Sequence, residues 1–319
     1  MRIVFAGTPE AAVPSLRALA ASDHEVVLVV TRPDAPLGRK RVLTPSPVAA
    51  AADELGLPVL KAARLDAEAT AAILATEADL GVIVAYGALV RAPLLTGLGA
   101  GWVNLHFSLL PKWRGAAPVQ RALIAGDSDL GWAVFQLVAE LDAGAVYRQE
   151  SYTPEPAATA ADVLAALAEI GGAALPDIVT RIGAGATPVD QVGEPSYAHK
   201  LTLSDGLLDP AAGSAAVLAR FRGVTPEPGA HVRIEGATLK ISQLAIADTD
   251  AAVPAGVIRM EAKQVLLGTA DRPVRLVRVQ PAGKQAMAAG DWWRGLRVDQ
   301  LSIDPLPAAP EPPTEGITR

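Results

Sequence analysis

Asn104 and His106 stand two residues apart inside Gly101-Trp102-Val103-Asn104-Leu105-His106-Phe107-Ser108-Leu109-Leu110-Pro111, where an apolar run gives way to a loop. In an extended segment, residues i and i+2 point to the same side, so the amide and the imidazole can face one reacting atom. The amide is a neutral donor suited to charge building on an oxygen, and the imidazole, with an ordinary pKa of about 6.5, moves protons near neutral pH. Asp142, in Leu141-Asp142-Ala143-Gly144, can fix the imidazole's tautomer and favour its charged form. The plainer alternatives are a strand end tied down by Asn and His, and an Asp-Ala-Gly turn between two strands.

Strand–helix alternation must position these groups. Apolar runs at 3–6, 26–31, 80–85 and 101–105 predict buried strands. Ala-rich segments at 9–21, 47–55, 67–76 and 119–125 predict helices, several opened by a Pro whose missing N–H is harmless in the first turn. This pattern predicts an α/β fold, a Rossmann-like doubly wound and mostly parallel sheet. Its ligands sit beyond the carboxyl ends of the strands, where Tyr86-Gly87 and the Asn104-to-Pro111 run both fall. Strands at 133–138 and 145–152 and a helix at 160–182, loosened by Gly171-Gly172 and Pro176, complete this half. Past about residue 185, Gly and Pro punctuate shorter alternating segments at 231–235, 238–245, 256–260, 265–267 and 274–280. They predict a small C-terminal antiparallel β-barrel of OB-like type. The expected organisation is a catalytic domain at 1–185, a linker at 186–204, the barrel at 205–303 and a disordered, proline-rich tail at 304–319.

Composition narrows the function. The 319 residues include no Cys, which excludes disulfides, thiolate metal sites and a Cys nucleophile; with four His, at 24, 106, 199 and 231, no metal site is expected. A strand pattern begins at once and no apolar run looks long enough to span a bilayer, so a cytoplasmic protein without a membrane partner is expected. A single glycine in Gly7-Thr8-Pro9 lacks the dinucleotide-binding fingerprint, which disfavours a dehydrogenase. The net charge of −6 hides an asymmetry: the acidic excess lies in residues 1–199, and 200–319 are nearly balanced. Nucleic-acid binding depends on local basic patches, and Arg39-Lys40-Arg41 form one in a Pro/Gly-containing loop.

Taken together, Asn104-Leu-His-Phe-Ser-Leu-Leu-Pro111, Lys112-Trp-Arg-Gly-Ala-Ala-Pro118 and Leu141-Asp-Ala-Gly144 resemble the formyltransferases that use 10-formyltetrahydrofolate. Phe5-Ala-Gly-Thr-Pro9, Trp113-Arg-Gly-Ala-Ala-Pro-Val-Gln120 and Gln280-Pro-Ala-Gly-Lys284 resemble the branch that acts on initiator methionyl-tRNA. The resemblance spans nearly the whole chain in the family's order. It implies Asn104, His106 and Asp142 as the catalytic set, and a folate pocket formed by Tyr86, Gly87, Ser108, Leu109, Leu110 and Pro111. It also implies tRNA contacts from Arg39, Lys40 and Arg41. Lys200, Arg233, Lys240, Lys284 and Arg297 are weaker candidates for tRNA contact, and a monomer is expected. An α-amine acceptor, with a free pKa of about 7.7–8.0, needs no activated side chain, covalent enzyme intermediate or metal. In the second half Tyr197-Ala-His-Lys200-Leu keeps the family pattern, whereas Thr225-Pro-Glu-Pro-Gly-Ala-His231 lacks the aromatic residue expected there. Two rivals remain: a formyltransferase for a sugar or other small amine, and a folate- or tRNA-binding module without activity.

Overall fold

The computed structural model describes residues 1–38, 40–249 and 251–306. The chain divides into two compact units, the first spanning 1–123 and 127–200, the second 124–126 and 201 onward. The end of the expected tail, 307–319, lies outside the described residues.

In the first unit, β1 (Arg2–Gly7), α1 (Val13–Ala20), β2 (Glu25–Thr31), α2 (Pro47–Glu54), β3 (Val59–Lys61), α3 (Ala67–Leu74), β4 (Leu80–Val84) and β5 (Trp102–His106) alternate as expected. There follow α4 (Pro118–Ala125), β6 (Leu130–Gln136), β7 (Val146–Tyr152) and α5 (Ala160–Gly183). The sheet runs β7-β6-β5-β4-β1-β2-β3; β3, β2, β1, β4 and β5 are parallel to one another, while β6 and β7 are antiparallel additions. Continuous apolar runs such as Leu80–Val84, buried along their whole length, are what a sheet covered on both faces requires. Helix starts follow side-chain logic: Ser46 accepts from the Ala49 N–H ahead of α2, Asp66 from Ala69 ahead of α3, and Thr159 with Asp162 forms a capping box for α5. Because the chain winds from β1 outward to β3 and then returns to β4 on the other side of β1, a crevice opens at the carboxyl ends of β1 and β4.

Helix α5 departs from expectation. It is unbroken through Gly171, Gly172 and Pro176. Its glycines are close-approach points: a Cβ on Gly171 would lie 2.9 Å from Leu105 Cδ1, and one on Gly172 2.9 Å from the Ser15 backbone nitrogen. Gly171 therefore backs the residue between Asn104 and His106. By length and composition α5 is also apolar enough to cross a membrane, contrary to the expectation that no run is. In this fold Val163, Leu167, Leu175 and Val179 are buried in a core with Ile3, Phe5 and Leu105.

Residues 186–200, expected as linker, pack within the first unit. Val189 exchanges backbone hydrogen bonds with Val146 at 2.7 and 2.9 Å, and Tyr197–Ala198 pair in parallel with Arg114–Gly115.

The second unit contains α6 (Ser214–Gly223), β8 (His231–Ile234), β9 (Ala237–Ile246), β10 (Val257–Glu261), β11 (Gln264–Leu267), β12 (Val274–Pro281), α7 (Ala289–Leu296) and β13 (Gln300–Ser302). Its antiparallel sheet runs β8-β9-β12-β11-β10-β13 around Val232, Ile241, Ile258, Leu267, Leu276 and Trp293. Asp304 joins the two outer strands. Its N–H donates to the Arg233 carbonyl at 2.7 Å, and its carboxylate accepts from Glu235 and Gly236, both at 2.8 Å.

Gly172→Val forces a side chain into the backbone of α1. We expect a loss of about 1–3 kcal/mol in unfolding free energy, the usual scale of overpacking, measured by urea denaturation. An unchanged midpoint would show that the α1–α5 contact tolerates a side chain.

Candidate active site

The site grows out of the end of β5. On this strand Asn104 lies opposite Phe135 of β6 and His106 opposite Ala133, so both project to one side while Leu105 enters the core on the other. His106 is 6% exposed, and the Phe135 ring meets the imidazole edge-on at 6.3 Å. Imidazole Nε2 lies 2.9 Å from the Trp113 carbonyl oxygen. A carbonyl only accepts, so Nε2 carries the proton and Nδ1 is left as the basic atom.

Trp113 is held for this task. Its φ of 61° is left-handed, its N–H donates to Ser196 Oγ at 2.9 Å, and its indole N–H donates to Asp127 at 2.9 Å. For a tryptophan that backbone conformation is uncommon and persists only where the surroundings fix it.

Asp142 approaches from the connection between β6 and β7, also with a left-handed backbone, φ 47°. Its Oδ2 accepts the Gly115 N–H at 2.7 Å and stands 3.9 Å from His106 Nδ1. That separation exceeds a direct hydrogen bond, so the carboxylate acts on the ring through its charge. Gly144 explains the tightness of the turn: a Cβ there would sit 1.7 Å from the Gln136 carbonyl oxygen. Turn chemistry and a functional carboxylate therefore coexist in Leu141-Asp-Ala-Gly144.

Burial pushes the imidazole pKa below its ordinary value, opposed by the Asp142 charge and then by the bond to Trp113. The ring is kept neutral, as a base must be. Among the described residues none hydrogen-bonds the Asn104 side chain, so its N–H groups are free to meet a ligand.

Asn104, His106 and Asp142 all line one cleft of about 780 Å³. Gly87, Leu89, Val90, Leu137, Val138 and Leu141 make its walls mainly apolar. Such a volume and lining suit a flat, drug-sized heterocycle. Tyr86 also lines it, but the residue is 1% exposed and its hydroxyl donates to the Ala62 carbonyl at 2.8 Å, so the ring braces the wall from behind. Burial raises its phenol pKa, with Arg32 acting in the opposite sense. The Gly87 carbonyl accepts from Arg32 at 3.1 Å.

Ser108, Leu109, Leu110 and Pro111 do not line this cleft. Ser108 Oγ donates to the Lys112 carbonyl at 2.7 Å, Leu110 is buried with Ala133 and Phe135, and Pro111 is buried. Ser108 and Leu109 instead border a second cavity of about 420 Å³, and Phe107 borders both.

The basic loop forms a hairpin, Ala35–Leu37 with Val42–Thr44. Lys40 and Arg41 are exposed at its tip, Leu37 and Leu43 are exposed beside them, and Arg39 lies outside the described residues. Lys200, Arg233, Lys240, Lys284 and Arg297 are exposed. Ser196 and the Trp113 and Gly115 backbone groups escaped sequence reasoning. Only the Trp-Arg-Gly motif hinted at the latter two, and nothing at the first.

Comparison with known proteins bears on this geometry. Residues 1–179 match the family described as formyl transferase, and 200–297 match the formyl transferase C-terminal domain. A methionyl-tRNA formyltransferase of Clavibacter sepedonicus is 57% identical over 297 residues, covering 93% of this chain and 97% of that one. Among solved structures, an N-formyltransferase from Helicobacter canadensis in complex with folinic acid and dTDP-3-aminofucose superposes with a TM-score of 0.65 at 15% identity, covering 86% of this chain and 98% of that chain. HypX from Aquifex aeolicus in complex with tetrahydrofolic acid gives 0.60 at 16% identity over 92% of this chain, which spans about half of it, 46%. At these identities the two structures establish likeness of fold.

The burial of His106 has a measurable consequence. Its imidazole should titrate below the ordinary value of about 6.5, and Asp142→Asn should lower the midpoint further by removing the charge that favours the imidazolium. Histidine NMR against pH reads both; a midpoint raised by Asp142→Asn would contradict the arrangement.

Proposed function

The chain belongs to the formyl transferase family, and from that premise we propose that it carries the formyl group of 10-formyltetrahydrofolate onto the α-amine of methionyl-initiator tRNA. The observation behind this reading is the convergence of Asn104, His106 and Asp142 on one apolar cleft. The neutral amine nitrogen bonds to the formyl carbon, the carbonyl oxygen takes up charge, and the carbon–nitrogen bond to the folate then breaks. The amine must lose a proton and the departing folate nitrogen must gain one. Asn104 donates to the oxygen where charge develops. His106 Nδ1 accepts the amine proton and returns it to the leaving nitrogen, while Asp142 stabilises the imidazolium between those events. In a water-poor cleft this attraction is stronger than it is in bulk water.

We assign the pterin to the cleft walls at Tyr86 and Gly87. Because Phe107 borders both cavities, the rest of the donor has a route over the Ser108-Leu109-Leu110-Pro111 turn. We assign Arg39, Lys40 and Arg41 to the acceptor end of the tRNA, where the exposed Lys40 and Arg41 suit phosphates and the exposed Leu37 and Leu43 suit unstacked bases. In this reading the enzyme works in the cytoplasm as a monomer, on charged tRNA.

The test is to incubate the protein with the folate donor and charged initiator tRNA and to measure formylmethionine by mass. His106→Ala and Asn104→Ala should each lower kcat by about a hundredfold or more, the usual scale for a lost general base or oxyanion donor. Near-wild-type turnover in either variant would remove that residue from the mechanism. Formylation of a sugar amine with methionyl-tRNA left untouched would overturn the acceptor.

A further inference from the structure

The strap at 186–200, of which the site has so far used only Ser196, also runs against the Asp142 turn. Gln191 makes four hydrogen bonds with one amide. Its NH₂ donates to the Asp142 carbonyl at 2.8 Å and to the Gly144 carbonyl at 2.9 Å. Its Oε1 accepts from Arg114 Nη2 at 2.7 Å and Nε at 3.1 Å. Arg114 is 8% exposed, and a buried guanidinium without partners is strongly unfavourable. The amide thus satisfies Arg114 and clamps the Asp142 turn to the Arg114–Gly115 strand at once. Asp142 is consequently held twice, through its backbone by Gln191 and through its carboxylate by the Gly115 N–H at 2.7 Å. Five residues along the same strap, Ser196 Oγ accepts the Trp113 N–H, and the Trp113 carbonyl is the partner of His106 Nε2.

We propose that Gln191 is a positioning residue for formyl transfer, and that the strap sets the distance between the two groups that flank the His106 ring. The inference deepens the function proposed above and rests on it for its kinetic part. A carboxylate that drifts by about 1 Å from a working geometry costs up to about a hundredfold in rate, although it touches no substrate itself.

Gln191→Glu keeps the reach and an acceptor for Arg114 but has no N–H for the Asp142 and Gly144 carbonyls; Gln191→Leu removes both ends. In each variant kcat should fall about tenfold or more, with the KM for the folate donor within about threefold, because the Tyr86–Gly87 wall assigned to the pterin makes no contact with Gln191. In Gln191→Leu, which adds no charge, the His106 titration midpoint, followed by NMR, should fall as well. The neighbours of the β5 end on β4 and β6, Ile83, Ala133 and Phe135, are uncharged. The charge facing the ring is that of Asp142, and Arg114 and Glu140 pair with each other at 3.4 Å beside the same turn. A strap that only stabilised the fold would lower the melting temperature and leave the kcat–KM split and the midpoint as they were. The inference is overturned if either folded variant turns over within threefold of wild type, or if the midpoint in Gln191→Leu does not fall. Should wild type yield no formylmethionine, the function proposed above fails, and the titration alone decides the role of Gln191.

Discussion

One hydrogen bond organises the site: His106 Nε2–H donating to the Trp113 carbonyl at 2.9 Å. It selects a tautomer, and the tautomer decides which ring nitrogen is basic. With Nε2 committed to the protein, Nδ1 is the atom on which proton transfer depends, and Asp142 lies on that side at 3.9 Å. Several otherwise unrelated features follow. Trp113 must hold a left-handed backbone to present its carbonyl, and it is pinned by Ser196 and Asp127. Gly144 must lack a side chain for the Asp142 turn to close against Gln136.

Burial and charge act against each other on this imidazole. Removing water destabilises the imidazolium and lowers the pKa, whereas Asp142 and the Trp113 carbonyl favour it. The balance gives a ring that is neutral at rest and stabilised once it takes a proton, which is what a reversible proton carrier requires. The fold supplies the position: β5 belongs to the parallel part of the sheet, next to an antiparallel β6, so its carboxyl end opens onto the crevice while Phe135 closes one side of the ring.

Much of this was legible in the chain. The buried strands announced themselves as apolar runs, and period-two geometry placed Asn104 and His106 on one side without reference to any relative. Asp142 was visible through Leu-Asp-x-Gly, although pattern alone could not separate turn from carboxylate, since it is both. Other features were hidden for physical reasons. Gly171 and Gly172 suggested a loosened helix, because a sequence carries no sign that Leu105 and Ser15 press against it. Residues 186–200 suggested a linker, since a segment held by polar contacts to distant backbone has no apolar period to betray it. Ser108, Leu109, Leu110 and Pro111 lie beside the catalytic pair in sequence, but the chain turns after His106 and carries their side chains away from the large cleft.

The tautomer of His106 is the most direct point of attack. Nitrogen-15 NMR of histidine-labelled protein near neutral pH, with His106 assigned by its loss in His106→Gln, distinguishes a protonated ring nitrogen from an unprotonated one. A protonated Nε2 and a bare Nδ1 are expected. A proton resting on Nδ1 would leave the Trp113 carbonyl unpartnered and place no base beside Asp142, and the proposed chemistry at this cleft would not stand.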